Sequence, residues 1–415
     1  MDFDDTPREA ALRAEARRWL GEHATLLGDS AGAGAARSGA SRDRDEVAHI
    51  RRCKAWQRTL YDGGWAGITW PKEFGGRGAS AIEAAIFNQE CARFDVSTGI
   101  FAVGSGMVGP TLIAHGTPEQ KRRYLDPLLR GEEVWCQLFS EPGAGSDLAG
   151  LATRAELDGD EWVVTGQKVW NSGAHSSDFG ILLARTDSSA PKHRGITYFI
   201  VDMRTRGVDV RPLRQITGAA HFNEVFLTDV RIPAENVVGA VNGGWGPALT
   251  TLANERTLIG GGAGGVGFGD LAALAQGTGS ASAPLHRQEL AAAYTRWELV
   301  RFLGYRVQTA LSQGRQPGPE SSVLKLLFSQ HLARTGDLAL AMEGPCGMLA
   351  GGGGDVSVSF WHSYFLNQWA SRIGGGTDQI QRNIIGERVL GLPGEPRVDK
   401  TVPFNELAAS ARPRE

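Results

Sequence analysis

Trp135-Cys136-Gln137-Leu138-Phe139-Ser140-Glu141-Pro142-Gly143-Ala144-Gly145-Ser146-Asp147 is the stretch on which the reading of this chain turns. A short run with strand character passes directly into a Pro/Gly/Ser loop, and such a loop leaves backbone N–H groups unpaired. Those amides, together with the hydroxyls of Ser140 and Ser146, can hydrogen-bond a flat polar ring; a plain connecting loop is the competing reading.

The stretch also marks a change of texture. From Thr6 to about Arg130 the apolar residues recur with helical period, interrupted by a Gly/Ala/Ser/Arg loop over 29–45. Within that region Thr117-Pro118-Glu119-Gln120 predicts a helix start, with Thr at the N-cap, Pro at the first helical position and Gln three after the cap. After the stretch, up to about Ala240, come short β-rich runs such as Gly180-Ile181-Leu182-Leu183, Ile196-Thr197-Tyr198-Phe199-Ile200-Val201 and Glu224-Val225-Phe226-Leu227. Helical periodicity returns after Asn242-Gly243-Gly244 and lasts to about Leu390, with amphipathic stretches over 287–311 and 321–342. This order argues against alternating βαβ units. It predicts a helical N-terminal domain over 1–131, a central β domain built on an antiparallel sheet or small barrel over 132–240, a C-terminal α-helical bundle over 241–395 and a tail over 396–415.

Composition narrows the function classes. The 415 residues carry Lys+Arg 43 against Asp+Glu 46, a net charge of -3, so no whole-chain basic field exists to hold nucleic acid or an anionic membrane. With 41% hydrophobic and 21% charged residues the chain is an ordinary globular one. No apolar run is long enough to span a membrane, and the acidic start Met-Asp-Phe-Asp-Asp is unlike a signal peptide. Cys53, Cys91, Cys136 and Cys346 are too few and too scattered for a disulfide framework, which suits a reducing cytoplasm. The nine histidines form no metal-ligand spacing, so no metal is expected. Gly262-Ala263-Gly264-Gly265-Val266-Gly267 is a formal GxGxxG match, but it follows a helical pattern rather than a strand, so it reads as close helix packing.

Two further segments can carry chemistry. Gly166-Gln167-Lys168-Val169-Trp170-Asn171-Ser172 places an aromatic beside a hydroxyl at a strand end, where Trp170 is a core or stacking residue. Gly374-Gly375-Gly376-Thr377-Asp378-Gln379-Ile380-Gln381-Arg382-Asn383 opens an amphipathic helix behind a glycine triplet whose amides can receive an anion or carbonyl oxygen; a Gly turn capped by Thr377 is the alternative.

Taken with Thr69-Trp70-Pro71-Lys72-Glu73-Phe74-Gly75-Gly76, Gly116-Thr117-Pro118-Glu119-Gln120 and Ile385-Gly386-Glu387-Arg388-Val389-Leu390-Gly391-Leu392, these segments resemble the acyl-CoA dehydrogenase family of flavoproteins over about residues 65–393. The resemblance implies FAD bound between the β domain and the C-terminal helices. Gln137, Phe139, Ser140, Gly145 and Ser146 would hold the ring's polar edge, Trp170 would flank it, and Ser172 would lie near its N5 side. Thr377 and Gln379 look like the own-chain contacts to the rest of the cofactor.

The implied reaction is α,β-dehydrogenation of an acyl-CoA thioester, which needs a desolvated carboxylate to take the α-proton and hydrogen bonds to the developing enolate oxygen. Many members of the family place that base just before the Gly-Thr of the C-terminal motif, where this chain has Gly375. The alternative family position is a Glu-Arg pair in an earlier helix, here Glu255-Arg256. Ala248, Leu252, Glu255 and Ile259 share one helix face, which puts the carboxylate on an apolar stripe and predicts a raised pKa. Gly375 keeps a backbone N–H for the thioester oxygen, and Arg256 is either a contact to substrate CoA or a structural ion pair.

A second departure concerns the adenosine end of FAD, gripped in homomeric relatives by an Arg-x-x-Phe-Gly and a Gln-x-x-Gly-Gly-x-Gly segment of a neighbouring chain. Those regions read Ser282-Ala283-Pro284-Leu285-His286-Arg287-Gln288 and Ala341-Met342-Glu343-Gly344-Pro345-Cys346-Gly347 here. The resemblance leaves a homo-oligomer and an α2β2 heterotetramer with a second acyl-CoA dehydrogenase chain, as in members acting on steroid side-chain thioesters, both open. An electron-transfer flavoprotein is the expected electron acceptor. The alternatives are a same-fold flavin oxidase or monooxygenase, and a non-catalytic partner subunit.

Overall fold

The computed structural model describes residues 5–26, 46–261, 267–313, 315, 318, 321–349, 360–395 and 399–410; of these, the side chains of 256–261, 311–312 and 408–410 are outside the description. The expected loop over 29–45 and nearly all of the Gly262–Gly267 match lie outside the described residues.

The N-terminal unit contains α1 (Pro7–His23), α2 (Glu46–Asp62), α3 (Ala81–Cys91), α4 (Gly109–His115) and α5 (Pro118–Leu129). Three of these helices begin in reciprocal capping boxes: Thr6 with Glu9, Ser80 with Glu83, and Thr117 with Gln120. The Thr117 Oγ1 accepts from the Gln120 amide at 3.2 Å, and the Gln120 Oε1 accepts from the Thr117 amide at 3.1 Å, as the sequence predicts. Gln120 has a second task. Its Nε2 donates to the carbonyls of Glu235 (2.7 Å) and Val237 (2.9 Å), tying the start of α5 to the next unit. Trp70, buried, anchors the core of the first unit by donating from Nε1 to the Ser105 carbonyl at 3.1 Å. Gly109 lies flat against its ring, where a Cβ would fall 1.9 Å from Cζ2.

The β unit contains β1 (Trp135–Leu138), β2 (Arg154–Asp158), β3 (Glu161–Val169), β4 (Phe179–Arg185), β5 (Ile196–Asp202), β6 (Val208–Leu213) and β7 (Phe222–Pro233). They form one sheet in the order β1-β4-β2-β3-β7-β6, with β5 on β4. Most pairs are antiparallel, but β1 pairs with β4 in parallel, and a single parallel contact joins Arg154 to Arg185. β4 and β5 are buried on both faces, which explains their continuous apolar runs. Ile181, Leu183, Tyr198 and Ile200 face the core shared with the helices; Leu182, Ala184, Phe199 and Val201 face a second core within the β unit.

The C-terminal unit contains α6 (Trp245–Gly261), α7 (Phe268–Gly277), α8 (Pro284–Ser312), α9 (Ser321–Glu343), α10 (Phe360–Ile373) and α11 (Asp378–Ile384). α6 packs on α4, β5 and α9, and α9 in turn packs on α10 and α11. Beyond it, residues 399–410, including α12 (Phe404–Ser410), return to the β unit. The amides of Phe404 and Asn405 donate to the carbonyls of Ala190 and Ser188, each at 3.0 Å. The Phe404 ring covers the buried guanidinium of Arg185 at 3.5 Å. Among the described residues, no helix is long and apolar enough to cross a membrane.

Candidate functional site

The loop after β1 is held by a buried charge pair. Lys168, 0% exposed on β3, places Nζ 2.7 Å from the Glu141 Oε1 and 3.1 Å from the Phe139 carbonyl. The Glu141 carboxylate also accepts from the amides of Ala152 (2.7 Å) and Thr153 (2.9 Å), so one side chain fixes both ends of the loop. Burial alone would raise the Glu141 carboxyl, but the Lys168 charge and these amides outweigh it and hold it below the ordinary range. Burial pulls the Lys168 amine down, with Glu141 opposing. Between these anchors a tight turn, closed by reciprocal hydrogen bonds of Glu141 and Ala144 at 3.0 Å, leaves Gly145 and Ser146 exposed.

A second clamp sets the aromatic. Trp170 follows β3 with φ 63, a left-handed conformation that a bulky residue keeps only when its surroundings hold it, at a cost of about 1–3 kcal/mol. Asn171 supplies that hold. Its amide donates to the Asn223 carbonyl at 3.1 Å, its Nδ2 donates to the Gln137 carbonyl at 2.8 Å, and its own carbonyl accepts from the Asn223 Nδ2 at 2.9 Å. The result is a tryptophan 62% exposed, touching Phe222 edge-on at 5.9 Å. Of the two readings of Trp170, the structure excludes core packing.

Gln137 and Ser140 are half-buried on the same edge, and the Ser140 carbonyl accepts from the Val169 amide at 2.9 Å. Phe139 is buried, its ring packed edge-on against Tyr198 at 5.8 Å, and Ser172 is exposed. The structure therefore gathers Gln137, Ser140, Trp170 and the backbone of Phe139 into one rim, with Gly145, Ser146 and Ser172 open beside it. A rigid loop with free hydroxyls beside a strained, exposed indole fits a flat heteroaromatic cofactor.

The glycine triplet forms a second rim. Gly375 (φ 66) and Gly376 (φ 85) both adopt the left-handed region, and the Gln381 Nε2 donates to their carbonyls at 3.1 and 3.2 Å. Thr377 caps α11, its Oγ1 accepting from the Ile380 amide at 3.1 Å, which leaves its O–H to donate elsewhere. Gln379 is exposed.

Glu255 lies on α6 in line with Ala248 and Thr251, both 0% exposed, and with Leu252, which packs on the helical core. Thr251 belongs to a buried hydroxyl chain, 2.9 Å from the Thr111 Oγ1 and 3.1 Å from the Tyr198 OH. Glu255 itself is half-buried, one turn further along this face. The side chains of Arg256 and Ile259 lie outside the description. Asn171, Asn223 and the Lys168–Glu141 pair are parts of the site that sequence reasoning gave no role; only their polarity within a β-rich region hinted at one.

Comparison with known proteins bears on all three units. The N-terminal, middle and C-terminal domains of acyl-CoA dehydrogenase match residues 6–132, 136–230 and 242–390. The acyl-CoA dehydrogenase IpdE1 of Mycobacterium tuberculosis is 41% identical over 395 residues, covering 93% of this chain and 98% of that one. Among solved structures, the Tcur3481-Tcur3483 steroid ACAD superposes with a TM-score of 0.79 at 30% identity, over 95% of this chain and 100% of the other. The ChsE4-ChsE5 complex from Mycobacterium tuberculosis gives 0.77 at 27% identity, over 95% and 100%. With three matching domains in order along a helical, β and helical fold, the chain belongs to the acyl-CoA dehydrogenase family, flavin-dependent oxidoreductases of acyl-CoA metabolism.

Proposed function

We propose that this chain binds FAD at the rim formed by Gln137, Phe139, Ser140, Gly145, Ser146, Trp170 and Ser172, and that it dehydrogenates an acyl-CoA thioester between its α and β carbons. Bound there, FAD would supply the acceptor for the β-hydrogen. The protein's own work is to position the thioester, exclude water and move one proton. Glu255 is the base that takes the α-proton, and the Gly375 amide donates to the thioester oxygen as negative charge grows on it. Thr377 and Gln379 contact the remainder of FAD, and Arg256 is a candidate contact to the CoA portion.

The observation that carries this reading is the division of labour between two rims. The Gly375 turn offers an amide and no carboxylate, while α6 presents a half-buried carboxylate one turn beyond the fully buried Thr251. The altered adenosine segments and the likeness to a two-chain steroid enzyme support an α2β2 assembly with a second acyl-CoA dehydrogenase chain and a bulky acyl group as substrate. Four free cysteines support a cytoplasmic setting, and an electron-transfer flavoprotein is the proposed acceptor.

The test is anaerobic mixing of the flavin-loaded protein with a panel of acyl-CoAs, linear and polycyclic, followed at the flavin absorption band. Glu255→Gln should slow bleaching by about 10²–10⁴-fold while leaving flavin content unchanged. Equal bleaching in both proteins rejects Glu255 as the base. Rapid reoxidation on admitting air identifies an oxidase instead.

A further inference from the structure

Beneath the Gly375 turn lies a group of charges that the proposed reaction does not yet use. Asp378, the first residue of α11 and 1% exposed, sits three residues beyond Gly375. Its carboxylate accepts from the Ser329 Oγ at 2.6 Å and from the Arg372 Nε at 3.2 Å. Lys325, on α9 one turn before Ser329, brings Nζ to 3.6 Å from the same carboxylate, outside hydrogen-bond reach. The Lys325 side chain is 4% exposed, and its ammonium makes no hydrogen bond among the described residues. Two cations therefore face one carboxylate, and the buried cation is the one left without a hydrogen bond.

A buried ammonium held only by a long ion pair is costly, and burial pulls the Lys325 amine below its ordinary range, with Asp378 opposing. A hydrophobic residue of the same length would avoid the cost if Lys325 served packing alone. The turn above it needs two things that the cluster provides. Glycines at positive φ are intrinsically mobile, and here the turn is pinned from both sides, by Gln381 on its carbonyls and by Asp378 on α9 and α10. Three residues of chain keep Asp378 within about 10 Å of Gly375, close enough for an unscreened charge to act on whatever that amide holds.

We propose that Lys325 is a positioning residue that, through Asp378, fixes the Gly375–Gly376 turn and leaves the cluster of Lys325, Arg372 and Asp378 with a net positive charge behind the Gly375 amide, favouring an enolate oxygen held there. The inference rests on the dehydrogenase reading above and concerns only the proton-removal half of the reaction. A unit charge about 10–15 Å away, as Lys325 beyond Asp378 would be, shifts such an equilibrium roughly five- to fifteenfold at an effective dielectric of about 20.

The test uses the full chain as isolated with its flavin, and with any partner chain that copurifies. The probe is an acyl-CoA whose β-carbon is replaced by sulfur, which can lose its α-proton but cannot give up a hydride. Two quantities are read as a function of pH: the long-wavelength absorption of the bound enolate, and exchange of the α-hydrogen with deuterium by NMR. Lys325→Met should move the bound probe about tenfold toward its protonated form and slow exchange by a similar factor, with binding of the protonated probe changed less than about threefold. Lys325→Arg should restore most of the effect.

Asp378→Asn keeps the shape and one acceptor oxygen, enough for Ser329 or Arg372 but not both, and removes the compensating charge, so it should move the probe the opposite way, toward the enolate. A merely structural cluster predicts loss in both variants with no change in the probe's acidity, and that result overturns the proposal; Asp378→Asn alone decides if Lys325→Met does not fold. If the wild-type protein itself fails to acidify the probe, the dehydrogenase reading falls and this inference with it.

Discussion

Removing the Lys168 ammonium tests how the loop after β1 is held. At 2.7 Å from the Glu141 Oε1, the pair's gross Coulomb attraction is about 6 kcal/mol at an effective dielectric of about 20, much of it offset by stripping water from both ions. Lys168→Met leaves Glu141 charged and buried, with the Ala152 and Thr153 amides as its hydrogen-bond donors and Arg185 as a more distant cation, and should cost about 3–5 kcal/mol. The double variant Lys168→Met/Glu141→Gln removes both charges and should cost less than half as much as the single one. The pH dependence has a definite sign. The wild-type Glu141 carboxyl lies below its ordinary value, so its contribution is complete above about pH 4.3 and is lost as pH falls through the folded value. In Lys168→Met the carboxyl protonates more readily, so the penalty relative to wild type shrinks as pH falls toward about 4. Denaturant midpoints between pH 4 and 7, with amide exchange read over β3 and residues 139–153, measure both effects. A single-variant cost below about 1 kcal/mol, or a double variant as damaged as the single, would refute the argument.

Three other outcomes follow from the structure. Gly109→Ala forces a Cβ to 1.9 Å from the Trp70 ring and should lower stability by about 1–3 kcal/mol or more, read as a fall in melting temperature with indole fluorescence altered. Trp170→Gly relieves a left-handed backbone at an exposed site, so the flavin-free protein should be as stable as wild type or up to about 1 kcal/mol more, while flavin retention on gel filtration falls; unchanged retention would remove Trp170 from the cofactor site. Burial, reinforced by Arg296, holds the His331 imidazole at about 4, so it is neutral in the folded protein at pH 7. Its contribution is complete above about pH 6.5 and is lost as pH falls toward 4, about 3 kcal/mol in all, and His331→Leu should flatten that stretch of the stability curve.

Local rules carried the sequence reading furthest. The Thr117-Pro118-Glu119-Gln120 cap forms as written, because every atom it needs lies within one helical turn. The continuous apolar runs of β4 and β5 do mark strands buried on both faces. What sequence could not show is set by pairing across distance. The parallel β1–β4 contact joins Trp135 to Phe179, and no turn signal records the direction of such a pairing. Lys168 sits 27 residues from Glu141, and in the sequence it is one more charge in an alternating strand. For Trp170 a core place and a stacking place were equally readable; only the positive φ and the Asn171 clamp decide between them. On α6 the expected face is visible as far as Ala248 and Leu252, with Glu255 following at half burial.

The segment that returns from the helical bundle to lie over Arg185 has a consequence for synthesis. That guanidinium donates to the carbonyls of Ala149, Leu151 and Lys192, and Phe404 closes over it. On a translating ribosome the sheet can assemble its strands early, yet its arginine stays uncovered until residues 399–407 have left the exit tunnel. Final sealing of the β unit therefore waits for a segment made after the whole helical bundle, and a nascent chain stalled before that segment would display a charged seam that the folded chain hides.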